Sequence, residues 1–177
     1  MSIRRRASAD ITSLYEPVIA GCMTRTPAPV TPPVALTIAT SDSGGGAGIQ
    51  ADLKTMEAGG AFGTSVLVAT TAQNTHGVES IHTLPTGEIR AQFDAVTKDF
   101  DVRAAKTGML ATTDIVETVT GQARAASFPV VVDPVMVAAS GDRLLEPEAE
   151  SAYEALIAES TLVTPNADEA EVLTGID

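Results

Sequence analysis

The chain has 177 residues, of which 44% are apolar and only 3% aromatic, so its core has to be built from aliphatic side chains. The formal net charge is −12, and because residues 1–33 carry four arginines against Asp10 and Glu16, the remaining residues hold a net charge of −14. A body this acidic repels phosphate backbones and anionic lipids, which argues against binding to nucleic acid or to membrane surfaces. The excess of carboxylates is compatible with an ordinary acidic protein and equally with adaptation to high salt.

The sequence shows no sign of export or of membrane insertion. Cys22 is the only cysteine, so no intrachain disulfide can form and no oxidising compartment is indicated. No apolar run reaches the length of about 18 residues that a membrane-spanning helix needs. The segment before Cys22 contains Asp10, Glu16 and Pro17 and lacks an apolar run of useful length, so we do not expect it to be a signal peptide. We therefore expect a cytoplasmic protein.

The chain divides into a lead-in and a folded part. Residues 1–33 lack a hydrophobic period and end in the run TPAPVTPP, which predicts a disordered or extended lead-in, and the folded part is predicted to cover residues 34–177. Hydrophobic pattern and residue type predict strands at Val34–Ala39, Thr64–Ala72, Val78–Thr83, Ala104–Thr107, Pro129–Asp133 and Leu162–Thr164. Helices are predicted at Ala47–Gly60, Thr86–Phe100, from Thr112 or Thr113 to Ala126, at Pro147–Glu159 and at Asn166–Thr174, with the threonines as N-caps.

This alternation predicts an α/β fold with three layers, α-β-α, around a mainly parallel sheet. In such sheets ligands bind beyond the carboxyl ends of the strands. Every segment of unusual composition falls at that edge, namely residues 40–48, 72–77, 108–110, 133–141 and 164–169. The coincidence predicts a single functional site.

The glycine-rich turn after the first strand, SDSGGGAGIQ, permits two interpretations. Its backbone N–H groups and the helix start behind it can bind a polar or anionic ligand, or the glycines can simply allow a sharp turn. The polar cluster of Ser41, Asp42 and Ser43 beside the glycines favours the ligand-binding interpretation. A dinucleotide site is disfavoured because no acidic residue ends the second strand, and a Walker loop because no Gly-Lys-Ser/Thr follows the glycines. Asp52, predicted in the first helical turn, either complements the helix dipole or belongs to the site.

Polar residues that follow other predicted strands can each be explained in two ways, by local structure or by ligand binding. The amides of Gln73 and Asn74 can pair with a heteroaromatic ring or satisfy nearby backbone groups. Asp133 ends the most apolar strand, where its carboxylate needs solvent or a metal-bound phosphate. Asn166 and Glu169 are three residues apart at a helix start, which fits a capping box as well as a site.

Taken in order, six segments resemble those of the phosphomethylpyrimidine kinase family, within the ribokinase-like superfamily. They are TIATSDSGGGAGIQADLKT, TAQNTHGV, KTGML, VVVDPVM, ASGDRLL and TPNADEA. The resemblance runs from about residue 34 to the C-terminus. It implies ATP-dependent phosphorylation of hydroxymethylpyrimidine and of its monophosphate in thiamine biosynthesis, with Mg²⁺ as the metal.

The resemblance also implies roles for particular residues. Those expected to bind the small pyrimidine alcohol or its phosphate are Gln73, Ala47, Asp52, Met109 and Val135. Those expected on the phosphate and metal side are Asp133, Asn166 and Glu169, with Asp133 and Glu169 holding Mg²⁺ through bound water. Because phosphoryl transfer depends mainly on positioning and on neutralising charge, such groups suit it. A homodimer is implied as well.

Family members continue for about another hundred residues, which is within the size of a single domain. The resemblance places the anion hole, with the residue that activates the substrate hydroxyl, beyond Asp177, so no catalytic residue is expected within this sequence. We therefore expect a ribokinase-like fold that is incomplete at the C-terminus, with little or no turnover by the 177-residue chain alone. The alternatives are a pyridoxal kinase-like enzyme, and a non-catalytic pyrimidine-binding remnant or one half of a split protein.

Overall fold

The computed structural model describes residues 31–136 and 150–175. The lead-in predicted for residues 1–33 lies almost entirely outside the described residues, as do the ASGDRLL segment and the helix start predicted at Pro147. Pro32–Asp177 belongs to one compact unit. Among the described helices, none has the length and apolar character that crossing a membrane requires.

Strands and helices alternate along most of the described chain. The strands are β1 (Val34–Ala39), β2 (Phe62–Leu67), β3 (Ala69–Asn74), β4 (Gly77–Thr83), β5 (Val102–Thr107), β6 (Val130–Val132) and β7 (Leu162–Val163). The helices are α1 (Gly48–Ala58), α2 (Thr86–Asp99), α3 (Thr113–Ala125), α4 (Glu150–Ala158) and α5 (Ala167–Thr174). These bounds agree with the predicted elements to within a few residues, with one exception among the strands.

Five strands form a parallel sheet in the order β2-β1-β5-β6-β7, while β3 and β4 form a separate antiparallel hairpin. The predicted α/β class with a mainly parallel sheet is therefore confirmed. From β1 the chain crosses to β2 on one side, and it later returns to β5 on the other side of β1. Ligands of open parallel sheets bind at such a reversal, outside the carboxyl ends of the strands, so the topology indicates a site beyond β1 and β5.

The single strand predicted at Thr64–Ala72 is wrong, because the chain leaves the parallel sheet at Val68. The amide of Gln92 binds both the N–H and the C=O of Leu67, each at 3.0 Å, which satisfies the outer edge where β2 ends. Val68 then donates to Ala39 O at 3.0 Å, and the following residues pair with β4 instead. A β-branched run predicts extended backbone, but it does not specify the partner strand.

Helices cover both faces of the sheet, as the consecutive buried residues of β1 from Leu36 to Ala39 require. Helix α1 packs on β1 and β2, and α2 packs on β2 and on α3, which in turn packs on α4. Gly63 lets α1 approach β2 closely, since a Cβ there would lie only 2.7 Å from Leu53 Cδ2. The largest fully buried aliphatic side chains are Leu36, Ile89, Leu110, Ile115, Leu156, Val66, Val68, Val116, Val119 and Val132, in line with the aliphatic core that the composition predicts.

The helix caps follow the predictions only in part. Pro85, rather than Thr86, is the N-cap of α2, and Thr112 is the N-cap of α3 without a side-chain cap hydrogen bond. At α5 the predicted capping box is confirmed, with Asn166 as N-cap, and Gly175 ends the helix in the left-handed conformation at φ 64°.

Candidate functional site

A cavity of about 230 Å³ lies beyond the carboxyl ends of β1 and β5, at the reversal of strand order. Its walls come from the ends of β1, β3, β5 and β6 and from the start of α1. The residues that line it are Ala39, Thr40, Ser41, Asp42, Ala47, Gly48, Ala51, Asp52, Gln73, Lys106, Gly108, Met109, Asp133 and Val135. Four of the five segments in which the sequence predicted one site therefore contribute to one cavity.

The cavity brings together most of the candidate site residues. All five expected to contact the substrate line it, namely Ala47, Asp52, Gln73, Met109 and Val135, and Asp133 lines it too. Asn166 and Glu169 are not among the lining residues. Six candidates thus line one space and two do not line it, and the individual roles of all eight stay predictions.

The glycine-rich turn closes on the side chain of Asp42, which is 5% exposed. Its carboxylate accepts hydrogen bonds from the backbone N–H groups of Gly44 at 2.7 Å, Gly46 at 2.9 Å and Ala47 at 2.8 Å. Burial acts to raise the pKa of Asp42, but these bonds and the N–H of Gly45 outweigh burial and lower the pKa below its ordinary value. Asp42 is therefore an ionised structural anchor of the loop.

This arrangement bears on both interpretations of the turn. The N–H groups of Gly44, Gly46 and Ala47 donate to the protein's own carboxylate, so these three groups do not offer the cavity an open anion site, although the loop lines the cavity. The sharp turn itself requires glycine, since Gly48 has φ 56° and a Cβ there would lie 2.5 Å from Thr40 O.

Asp52 does not serve the helix dipole, because the first turn of α1 contains no acidic residue. Its carboxylate instead accepts from Thr37 Oγ1 at 2.6 Å and from Lys106 Nζ at 3.1 Å. The side chain is 16% exposed, so α1 presents a paired, largely buried carboxylate to the cavity.

Gln73 reaches the cavity because β3 is irregular at its end. The register with β4 shifts between Ala72 and Gln73, which re-aims the side chain that follows. Ser43 Oγ fixes the Gln73 backbone, accepting from its N–H at 2.8 Å and donating to its C=O at 2.6 Å. Thr71 Oγ1 lies 3.2 Å from Gln73 Oε1, so the amide is held at the wall of the cavity.

Lys106 is a site residue that the sequence analysis did not single out. Its ammonium group lies 3.1 Å from Asp52 Oδ1 and 3.4 Å from Asp133 Oδ2, bridging α1 and the end of β6. The available signal was a lysine near the end of a buried strand, where a charge needs a partner. The partners belong to distant segments, so the sequence could not identify them.

The α5 start forms a second polar cluster, around Asn166 and Glu169. Asn166 Oδ1 accepts from Glu169 N, and Glu169 Oε2 accepts from Asn166 N, both at 2.9 Å. Tyr153 is fully buried, and within the described part of the chain its hydroxyl makes no hydrogen bond of good geometry, although the Leu110 backbone is close enough to act on it. Burial, and then the charges of Asp133 and Glu169, raise the pKa of Tyr153, against a smaller opposing effect of the Leu110 backbone.

Comparison with known proteins gives consistent matches. The family model for phosphomethylpyrimidine kinase matches residues 42–177. A hydroxymethylpyrimidine/phosphomethylpyrimidine kinase from Streptomyces coelicolor is 52% identical over 155 residues, covering 87% of this chain and 58% of that protein. The thiamine biosynthesis multifunctional protein ThiED of Corynebacterium efficiens is 49% identical over 147 residues, covering 82% of this chain and 20% of that protein.

Solved structures agree with these matches. A crystal structure of phosphomethylpyrimidine kinase from Clostridium difficile aligns with a TM-score of 0.78 at 46% identity, covering 82% of this chain and 64% of that one. An ADP complex of Bacillus subtilis pyridoxal kinase aligns with a TM-score of 0.73 at 40% identity, covering 83% of this chain and 57% of that one. The chain spans less than two thirds of the length of each of these proteins. With the family model matched over most of the sequence, the chain belongs to the phosphomethylpyrimidine kinase family.

Proposed function

We propose that this chain carries the acceptor-binding part of a kinase that transfers a phosphoryl group from ATP to hydroxymethylpyrimidine and to its monophosphate, in thiamine biosynthesis. The observation that carries the proposal is the cavity itself, because all five residues expected to contact the pyrimidine line one space of about 230 Å³. Pockets for drug-sized ligands measure about 300–1,000 Å³, so this one suits a single small ring. The name of the Streptomyces coelicolor relative supports the same substrate, and the name of the Corynebacterium efficiens relative supports thiamine biosynthesis.

The chemistry of the lining suits a substituted pyrimidine. Gln73 contributes an amide, which offers a donor and an acceptor to ring nitrogens and amino groups. Met109 and Val135 contribute apolar surface for the faces of the ring. Small residues on the α1 side, Ala47 and Ala51, leave room for the ring between these walls.

Asp133 and Glu169 would hold Mg²⁺ through bound water, with ATP as the phosphoryl donor. Among the described residues no three His, Cys, Asp or Glu side chains cluster into a metal site. Mg²⁺ usually keeps several waters and is bound through one or two carboxylates together with substrate phosphates. Asp133 suits this role because it lines the cavity and is 33% exposed. When bound, the ion would neutralise the charge of the transferring phosphates.

A pyridoxal kinase-like activity is the second candidate, favoured by the 40% identity and the TM-score of 0.73 to the Bacillus subtilis pyridoxal kinase. Hydroxymethylpyrimidine and pyridoxal are both ring alcohols, and the residues described do not separate them by charge. The identity is higher to the relatives named for pyrimidine kinases. Pyrimidine phosphorylation is therefore the main proposal.

The proposal is tested by titrating the chain with hydroxymethylpyrimidine and with pyridoxal in a calorimeter, followed by turnover assays with ATP and Mg²⁺. We expect tighter binding of the pyrimidine. Gln73→Ala should weaken that binding by about 1–3 kcal/mol, the value of a buried amide contact. Asn74→Ala is the matched control, because Asn74 is the adjacent amide, is exposed and does not line the cavity.

Two results would contradict the proposal. A preference for pyridoxal would overturn the substrate assignment. An affinity for the pyrimidine that is unchanged by Gln73→Ala would remove Gln73 from the site. The homodimer and the cytoplasmic location remain proposals that rest on the family resemblance, and light scattering on the purified chain tests the dimer.

A further inference from the structure

The cavity carries an excess of negative charge. Its charged lining residues, among those that the structure describes, are Asp42, Asp52, Asp133 and Lys106. A phosphate monoester carries a charge of about −1.5 to −2 at neutral pH, whereas the parent alcohol lacks this charge. The monophosphate therefore needs a cation in the cavity, while the alcohol does not, and Lys106 is the lining residue that can supply it.

The hydrogen bonds of Lys106 leave it able to accept a ligand. Its side chain is 27% exposed, and its ammonium group has three donors, of which two point to Asp52 and Asp133. Within the described residues, the third donor has no protein acceptor. Asp52 holds the ammonium group at 3.1 Å, while the contact to Asp133 is longer at 3.4 Å and Asp133 is the more exposed carboxylate.

Asp52 is positioned as the permanent partner of Lys106. Thr37 donates to the second oxygen of Asp52 at 2.6 Å, so both oxygens of that carboxylate are bonded. The contact to Asp133 is the one that a ligand oxygen can replace without leaving Asp52 unpaired. Gly108, two residues after Lys106, keeps the space beside the ammonium group open, since a Cβ at Gly108 would lie 3.6 Å from Lys106 Nζ.

We propose that Lys106 binds the phosphate of the phosphorylated acceptor and so allows one cavity to take both the pyrimidine alcohol and its monophosphate. The inference rests on the proposed function and adds the residue that distinguishes the two acceptors. Asp52 anchors the ammonium group, and Asp133 gives up its weaker contact when the phosphate enters.

The test compares the affinities of the chain for hydroxymethylpyrimidine and for its monophosphate, measured by calorimetry. Lys106→Met should weaken binding of the monophosphate about 10- to 100-fold more than binding of the alcohol, because a charge-assisted contact is lost with one ligand only. Lys106→Arg should restore most of the loss. Lys98→Met is the matched control for removing one positive charge, because Lys98 is 74% exposed and its ion pair with Asp94 lies on the surface.

Lys106→Met also leaves Asp52 without its cation, which can lower stability. The double variant Asp52→Asn with Lys106→Met removes both charges of that pair. Because Asp52 itself lines the cavity, the double variant is compared with Asp52→Asn alone, and relative to that variant it should show the same selective loss of the monophosphate. Circular dichroism melts establish that each variant is folded under the conditions of the titration.

The outcomes separate this inference from the proposed function. A wild-type chain that binds neither pyrimidine overturns the proposed function and the inference with it. A wild-type chain that binds both, together with a Lys106→Met variant that weakens both equally, overturns the inference alone and makes Lys106 a positioning residue for Asp52 and Asp133. Undiminished binding of the monophosphate by the variant also overturns the inference alone.

Discussion

The helix starts of α1 and α5 each follow the end of a parallel strand, yet they satisfy their backbone groups differently. At α5 the capping box involves residues that are close in sequence, because Asn166 and Glu169, three residues apart, exchange hydrogen bonds. At α1 the N-cap Ala47 has no side-chain cap bond, and the loop before the helix closes around the Asp42 carboxylate instead. The first arrangement depends on spacing, and the second depends on a loop conformation.

The two helix starts nevertheless share one electrostatic property. In each, a carboxylate of the protein accepts from the backbone N–H of the N-cap residue, Asp42 from Ala47 and Glu169 from Asn166. An incoming phosphate therefore cannot rely on these backbone groups in their present arrangement. The positive charge for an anionic acceptor has to come from elsewhere in the cavity, which is why the placement of Lys106 matters.

The largest expected effect comes from the backbone of the α1 loop. Gly48→Ala should cost about 2–4 kcal/mol in the free energy of unfolding, because φ is 56° and the new Cβ would meet Thr40 O at 2.5 Å. Gly121→Ala is the matched control, since its Cβ would meet nothing within 4 Å in helix α3, and it should stabilise by about 0.5–1 kcal/mol. Urea denaturation measures both. Equal stability of the two variants would show that the loop does not need the left-handed residue.

The next largest effect is expected from the negative charge of Asp42, which holds the glycine-rich loop. Asp42→Asn should cost about 1–3 kcal/mol at pH 7, because three backbone N–H groups lose their ionised acceptor. The pKa of Asp42 is lowered, so the wild-type advantage is complete above the unfolded pKa of about 3.9 and shrinks as the pH falls through the lower folded pKa. Denaturation between pH 2 and 8 measures the gap.

Asp101→Asn provides the surface control for that experiment, since the Asp101 side chain is 87% exposed and forms a surface ion pair with Arg103 at 3.3 Å. It should change stability by less than about 0.5 kcal/mol at pH 7. A gap between wild type and Asp42→Asn that stays constant down to pH 2 would mean that the charge of Asp42 does not hold the loop.

The same contrast explains how much the sequence could predict. The hydrophobic period and the residue types predicted most of the strands and helices. The three-residue spacing predicted the capping box at Asn166 and Glu169. These signals lie within short stretches of sequence, so they can be read without the fold. The hydrogen bonds from the loop N–H groups to Asp42 were not predictable, since glycines permit many loop conformations and the sequence does not specify one of them. The bridge from Lys106 to Asp52 spans 54 residues, so it depends on the register of β5 and on the placement of α1.

A smaller effect is expected at α5. Asn166→Ala should cost about 1 kcal/mol, because Glu169 N loses its side-chain acceptor. Glu169→Gln is the informative companion, since it removes the charge while keeping an acceptor for Asn166 N–H. Urea denaturation, with hydrogen exchange at the first turn of α5, measures the change. A loss for Asn166→Ala as large as that for Asp42→Asn would show that the local box is not the weaker of the two arrangements.

The smallest effect on stability at pH 7 is expected at the Tyr153 hydroxyl. Tyr153→Phe should change stability at pH 7 by less than about 0.5 kcal/mol, because the buried hydroxyl makes no hydrogen bond of good geometry in the described part of the chain. Since burial raises the pKa of Tyr153, wild-type stability falls as the pH rises above about 10, where the unfolded tyrosine ionises. The phenylalanine variant lacks that loss, so its relative stability should increase in alkali. A cost above about 1 kcal/mol at pH 7 would instead mean that the hydroxyl is hydrogen-bonded, with the Leu110 backbone as the partner that the structure offers.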